Sequence, residues 1–207
     1  MTEIIQGSEE WLQMRAGKVT ASRISDVMAR DRSGKNWGKT RDTYMGELIA
    51  EILSGVPSEG FSNATMARGN EIEPDARNAY AFLRDANVTE VAFVDHPTIE
   101  KAGASPDGLV DDDGLVEFKC PNTSTHIDTI IKKKIAGNYI KQMQWQMACT
   151  ERLWCDFVSY DPRLPPQYRF YVQRVPRDDA AISELESGVR EFLADIEAKI
   201  NELKEAA

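Results

Sequence analysis

Nine residues separate Asp107 from the triplet Glu117-Phe118-Lys119, and these residue types at this spacing can do chemistry. Gly108–Val110 and Leu115–Cys120 read as two strands, joined through the acidic turn Asp111-Asp112-Asp113-Gly114. Asp-Gly in such a gap is a strong hairpin signal. Side chains alternate faces along a strand, so Glu117 and Lys119 project together while Phe118 points into an apolar layer on the other side. Asp107 lies just ahead of the partner strand, within reach of Glu117. Two carboxylates and an ammonium on one wet face form a hard-oxygen site suited to Mg2+. Glu-x-Lys also occurs at Glu197/Lys199 and Glu202/Lys204. Those two pairs fall on a predicted helix, where positions i and i+2 diverge by about 200° and cannot share a site. The competing reading of Glu117 and Lys119 is a surface ion pair on a sheet edge.

The elements around the hairpin follow from periodicity. A helix is predicted over Thr43–Leu53, ending at Ser54-Gly55. A second runs from Met66 to Ala86, with Pro74 starting or kinking its second half. Val88–Val94 opens a strand series, Asn138–Cys149 reads as a helix, and Trp154–Tyr160 and Phe170–Val175 read as strands. Ile182, Leu185, Val189, Leu193, Ile196, Ile200 and Leu203 trace one apolar stripe along a C-terminal helix. The first forty residues suggest short helices and an irregular Gly-containing loop, Arg32–Thr40. This order predicts an α/β fold with a central mixed sheet flanked by helices. The expected organisation is one domain over 1–207: a basic segment at 8–42, a catalytic core at 43–175 and a helix at 180–205.

The chain has 207 residues and a formal net charge of −9, which argues against a polybasic binder. Residues 15–41 nevertheless hold eight bases against two acids, and residues 178–207 hold nine acids against three bases. An enzyme gripping a polyanion on one face would show this asymmetry, and so would an ordinary solvated surface. No apolar run reaches the ~18 residues of a membrane span, and no basic-then-apolar leader is visible. Cys120, Cys149 and Cys155 form no Cys-x-x-Cys pair, which suggests a reducing compartment, with cytosol as the default. His96 and His126 lack zinc-site spacing and read as loop or surface residues. Only three residues separate Gly34 from Gly38, one short of a P-loop. Trp145 and Trp154 read as core residues rather than base-stacking platforms.

Several short motifs, in one order along nearly the whole chain, resemble the phage lambda exonuclease (YqaJ-type alkaline exonuclease) family. They are Trp11 through Arg15, Val19-Thr20-Ala21-Ser22, Met66 through Glu73, Ser105 through Leu109, Glu117 through Pro121, Tyr139 through Gln144 and Tyr160 through Arg163. The resemblance implies a restriction-endonuclease-like, PD-(D/E)XK core with two Mg2+ ions, Mn2+ substituting. It implies 5′→3′ digestion of one strand of linear duplex DNA by a ring-shaped homotrimer. By the same resemblance, Asp107, Glu117, the Phe118 backbone carbonyl and Glu73 hold the metals, and Lys119 orients or deprotonates the attacking water. Gln142 and Tyr139 line the cleft. Arg15, Ser22 and Ser105 take a terminal 5′-phosphate, Arg32 reaches the DNA, and Met66 stands where the family has a strand-separating wedge. A basic position after the family's Cys-Pro segment is Thr125 here. A phage single-strand annealing protein is the implied partner, in the bacterial host cytoplasm and away from any membrane. The alternatives are a structure- or site-specific endonuclease on the same core and a catalytically silent DNA-binding module.

Overall fold

In the computed structural model, residues 4–58 and 64–206 are described, residues 64–67 and 70 as backbone only. The acidic turn closes as expected. β5 (Gly108–Val110) and β6 (Gly114–Lys119) pair antiparallel, with Val110 opposite Gly114 and Gly108 opposite Val116. β2 (Val88–Thr89) flanks β5, while β7 (Trp154–Tyr160) and β8 (Phe170–Pro176) extend the other side. The five-stranded order is β2-β5-β6-β7-β8, so β6 is the central strand. Glu117 and Lys119 therefore do not form an ion pair on a sheet edge.

β6 and β7 run parallel, and a parallel pair needs a crossover. Here it consists of α5 (Thr123–Lys132) and α6 (Gly137–Thr150). The sequence reading did not anticipate α5, because its Thr and Ile residues are β-branched and weak helix formers. The strand series expected from Val88 splits between two sheets. Val88–Thr89 joins the large sheet, whereas β3 (Val94–Asp95) joins a second one of order β1-β4-β3, with β1 at Val19–Thr20 and β4 at Ala102–Ala104. Ser105-Pro106-Asp107 is thus the bridge from the small sheet to the large one.

Alternation along β6 feeds two cores. Val116 and Phe118 pack with Val110, Val158, Ala76 and Tyr80 beneath α4 (Ala64–Arg84), a single helix that continues through Pro74 without a second start. Leu115 packs on the opposite face with Phe157, Cys155, Met143 and Met147 beneath α6. A third cluster joins α2 (Ile24–Val27), α3 (Lys39–Ser54) and α7 (Asp179–Ala206), and includes buried Trp145. Along the α7 stripe Ile182, Leu185, Val189, Ile196 and Ile200 are buried, Leu193 is partly buried and Leu203 is exposed. Both histidines are buried: His96 sits in the loop after β3, whereas His126 lies inside α5, contrary to the expectation of a loop or surface residue. His126 satisfies its ring nitrogens on Ser159 Oγ (2.7 Å) and the Tyr168 carbonyl (2.8 Å). His96 stacks on Trp145. Trp154 is half-buried and lies under Arg174.

Candidate active site

Strand alternation turns Leu115, Glu117 and Lys119 toward α6. The sequence suggests a wet face, but α6 lies across it and leaves Glu117 0% exposed. A buried carboxylate needs donors, and α6 supplies them. Gln142 Nε2 donates to Glu117 Oε1 at 2.6 Å, and Gln146 Nε2, one turn further on, donates to Oε2 at 2.6 Å. Lys119 Nζ pairs with Oε1 as well and lies 5.0 Å from the centre of the Tyr139 ring. Tyr139 in turn stacks on Phe157.

Asp107 is placed by the strand opposite. Its Oδ2 accepts the backbone N–H of Phe118 at 2.7 Å. Burial, then the charge of Glu117, pushes the Asp107 carboxyl well above the usual carboxylate range. Glu73 extends toward this group from α4 and is ion-paired to Arg77 at 2.8 Å. Its carboxyl is also raised, by burial and by Glu117, with Arg77 opposing. Burial alone would lower the Lys119 ammonium, but the charges of Glu117 and Asp107 outweigh it and raise its pKa.

A second cluster forms where α1 (Glu9–Arg15) meets the bridge between the sheets. Ser8 caps α1 by accepting the Trp11 N–H, and at the other end the Ala16 N–H closes the last turn, which carries Arg15, on the Leu12 carbonyl. The Arg15 guanidinium lies 4.1 Å from the Trp11 ring centre and donates to Ser105 Oγ (3.2 Å) and Ser22 Oγ (3.4 Å). Ser105 Oγ also accepts from Trp11 Nε1 at 3.0 Å and donates to the Ala92 carbonyl at 2.7 Å. Among the described residues no carboxylate is ion-paired with Arg15. A partly buried guanidinium whose hydrogen bonds go only to hydroxyls, with no carboxylate to neutralise it, is suited to an anion.

The structure therefore assembles two groups of sequence-selected residues: Glu73, Asp107, Glu117, Lys119, Tyr139 and Gln142 in one, and Arg15, Ser22 and Ser105 in the other. Arg32 joins neither. It is exposed on the loop that Asp31 closes by accepting from Ser33 and Asn36. Met66 lies in α4, and its side chain is outside those described. The sequence reading missed Gln146. The available signal was its spacing from Gln142, since two glutamines at i and i+4 share a helix face.

No three Asp, Glu, His or Cys side chains among the described residues converge into a ready cation cage. The donor set still fits a hard divalent cation. Asp107 and Glu117 are close enough to repel one another, and among the described residues no group donates to Asp107 Oδ1. Mg2+ keeps several waters and takes only one or two protein carboxylates, so a full cage is not required.

A central strand carrying Glu-x-Lys, an acid before its hairpin partner and a parallel crossover onto β7 define a restriction-endonuclease-like core. Within that class, residues 10–153 match the model of the YqaJ-like viral recombinase domain, and the chain belongs to that family. Among solved structures it is similar to an alkaline exonuclease from Laribacter hongkongensis. The identity is 53%, the TM-score 0.89, and the match covers 96% of this chain and 97% of that one. The same exonuclease in complex with dAMP matches equally. A phage-related exonuclease from Haemophilus somnus 129PT shares the fold at 18% identity and TM-score 0.73, covering 90% of this chain and 96% of that one. The chain is 27% identical over 173 residues to an uncharacterized protein of Acanthamoeba polyphaga mimivirus, covering 74% of this chain but 29% of that protein's length. No helix among the described residues is long and apolar enough to cross a membrane.

Proposed function

We propose that this chain is a metal-dependent exonuclease that digests one strand of linear duplex DNA in the 5′→3′ direction, leaving 3′ single-stranded tails for recombination by strand annealing. One observation carries the reading. Ser105, in the guanidinium–hydroxyl cradle, and Asp107, in the acidic cluster, are two positions apart on the bridge between the sheets. An anion-binding cradle rigidly tied to a hydrolytic group is what cutting from a phosphorylated end requires.

Asp107, Glu117, the Phe118 carbonyl and Glu73 would hold two Mg2+ ions, with Mn2+ as a substitute. When bound, such ions lower the pKa of water and compensate charge on the phosphate and the leaving oxygen. The protein's own groups do the rest. Gln142 holds one oxygen of the Glu117 carboxylate. Lys119 orients the attacking water and places positive charge beside the scissile phosphate. Tyr139 packs below the ammonium and confines it. Arg15 offers a planar fork to a terminal 5′-phosphate, beside the Ser22 and Ser105 hydroxyls that hold the guanidinium in place. Arg32 contacts the DNA backbone from its exposed loop, and Met66 serves as an apolar wedge between strands. Assembly as a homotrimeric ring, an annealing-protein partner and action in the bacterial host cytoplasm belong to the same reading, as does a single nuclease domain over 1–207.

The test uses linear duplex with 5′-phosphate or 5′-hydroxyl ends and a covalently closed circle, with Mg2+ or with excess chelator. The expected result is digestion of the phosphorylated linear duplex from its 5′ ends, slower attack on hydroxyl ends, an intact circle and no cleavage under chelation. Opening of the circle would make the protein an endonuclease. Binding without any cleavage would make it a silent DNA-binding module. A native mass of three chains is expected.

A further inference from the structure

We propose that Gln146 is a positioning residue for metal binding, setting the orientation of the Glu117 carboxylate. The inference rests on the nuclease reading above and extends it to a residue outside the resemblance-derived set. Glu117 Oε1 has two donors, Gln142 and Lys119, whereas Gln146 is the sole donor to Oε2 among the described residues. The terminal torsion of a glutamate is soft and roughly two-fold. Donors on one oxygen alone leave the carboxylate plane free to swing. A donor on each oxygen fixes it.

The scaffold supports this role. Gln146 is 0% exposed and lies on α6 between Trp145 and Met147, both also 0% exposed, so its amide is presented by a packed helix and not by a loop. Its orientation is dictated by its partner. An ionised carboxylate only accepts, so Gln146 must offer Nε2, which leaves its own Oε1 buried without a donor among the described residues. A buried orphan acceptor is costly. Methionine would fill similar space without that cost, so the amide's contribution at this position is its N–H toward Glu117. Gln144, on the same helix, points elsewhere and caps other backbone, at the Pro176 carbonyl and the Asp178 N–H.

The test compares the unmodified chain with Gln146→Met. Mn2+ affinity is read by electron paramagnetic resonance without DNA, and kcat and KM are read on linear duplex in Mg2+. Outer-shell partners of metal ligands typically contribute ~10–100-fold to affinity or activity. We expect Mn2+ affinity and kcat each to fall by at least about tenfold, with KM for duplex within about twofold. A merely structural glutamine would lower the melting temperature and leave the metal affinity of the folded fraction unchanged, and that result would overturn the proposal. Should Gln146→Met not fold, the side-chain amide resonance of Gln146 in the unmodified protein is followed during Mg2+ titration. A saturable shift is expected, and a resonance that does not move overturns the proposal. If the unmodified chain neither binds Mn2+ nor cuts duplex, the nuclease reading itself fails. If it does both and Gln146→Met matches it, only the role of Gln146 fails.

Discussion

The backbone N–H of Phe118 donates to Asp107 Oδ2 at 2.7 Å, and this bond links the two acids of the site through the residue that separates Glu117 from Lys119. The Phe118 side chain points the other way, edge-on to Tyr80 with ring centres 6.0 Å apart. Packing under α4 thus holds down the strand segment whose backbone meets Asp107. Hairpin register, with Gly108 opposite Val116, fixes where that meeting occurs.

Asp107→Asn is the cleanest perturbation of this pair, because the amide carbonyl still accepts the Phe118 N–H while the negative charge is lost. Metal-mediated charge stabilisation contributes several kcal/mol, so turnover on linear duplex is expected to fall by more than about a hundredfold. DNA affinity measured by fluorescence anisotropy in Ca2+ should change by only a few-fold. Turnover comparable to the unmodified protein would remove Asp107 from the site.

Arg15→Lys keeps the charge and loses the planar fork that spans Ser105 and Ser22. The two residues are not interchangeable at a bidentate site. The rate ratio between 5′-phosphorylated and 5′-hydroxyl duplex is expected to drop by about tenfold, one lost charge-assisted hydrogen bond. An unchanged ratio would place end recognition elsewhere.

His96 gives the stability a pH dependence with a definite sign. Burial lowers its pKa below the ordinary 6.5, with Glu186 opposing and Arg190 adding to the decrease. A depressed folded-state pKa means the native protein favours the neutral ring. The associated stability is present above about pH 6.5 and is lost as the pH falls below it. His96→Phe retains an aromatic partner for Trp145, so its melting temperature should decline less between pH 7 and pH 5 than that of the unmodified protein. Parallel declines would show that His96 carries none of the effect.

Gly103→Ala tests the small sheet that leads into the bridge. A Cβ at this position would lie 2.3 Å from Phe93 Cζ and 2.6 Å from the Val94 carbonyl oxygen, and the latter is backbone that cannot swing aside. Overpacking of this kind typically costs ~1–3 kcal/mol. Chemical denaturation should show a lower midpoint with an unchanged slope. A midpoint equal to that of the unmodified protein would mean that β4 yields freely.

Features of short range were legible in the chain itself. Alternation at Leu115, Glu117 and Lys119 and the Asp-Gly turn specified a hairpin with its acids and its amine on one side, because a strand's period of two is a local property. Spacing within α7 specified its buried stripe for the same reason. What lay across the β6 face was a matter of tertiary structure. The parallel crossover through α5 and α6 decided that Glu117 is buried, that Gln146 shares it with Gln142, and that the histidines lie inside. The cradle also depended on tertiary structure, since Arg15 and Ser105 are ninety positions apart and meet where β1 pairs with β4 and Trp11 bonds to the Ala92 carbonyl. Local periodicity says which side of an element is apolar. It does not say which distant element will cover that side, because that depends on long-range packing among many candidates.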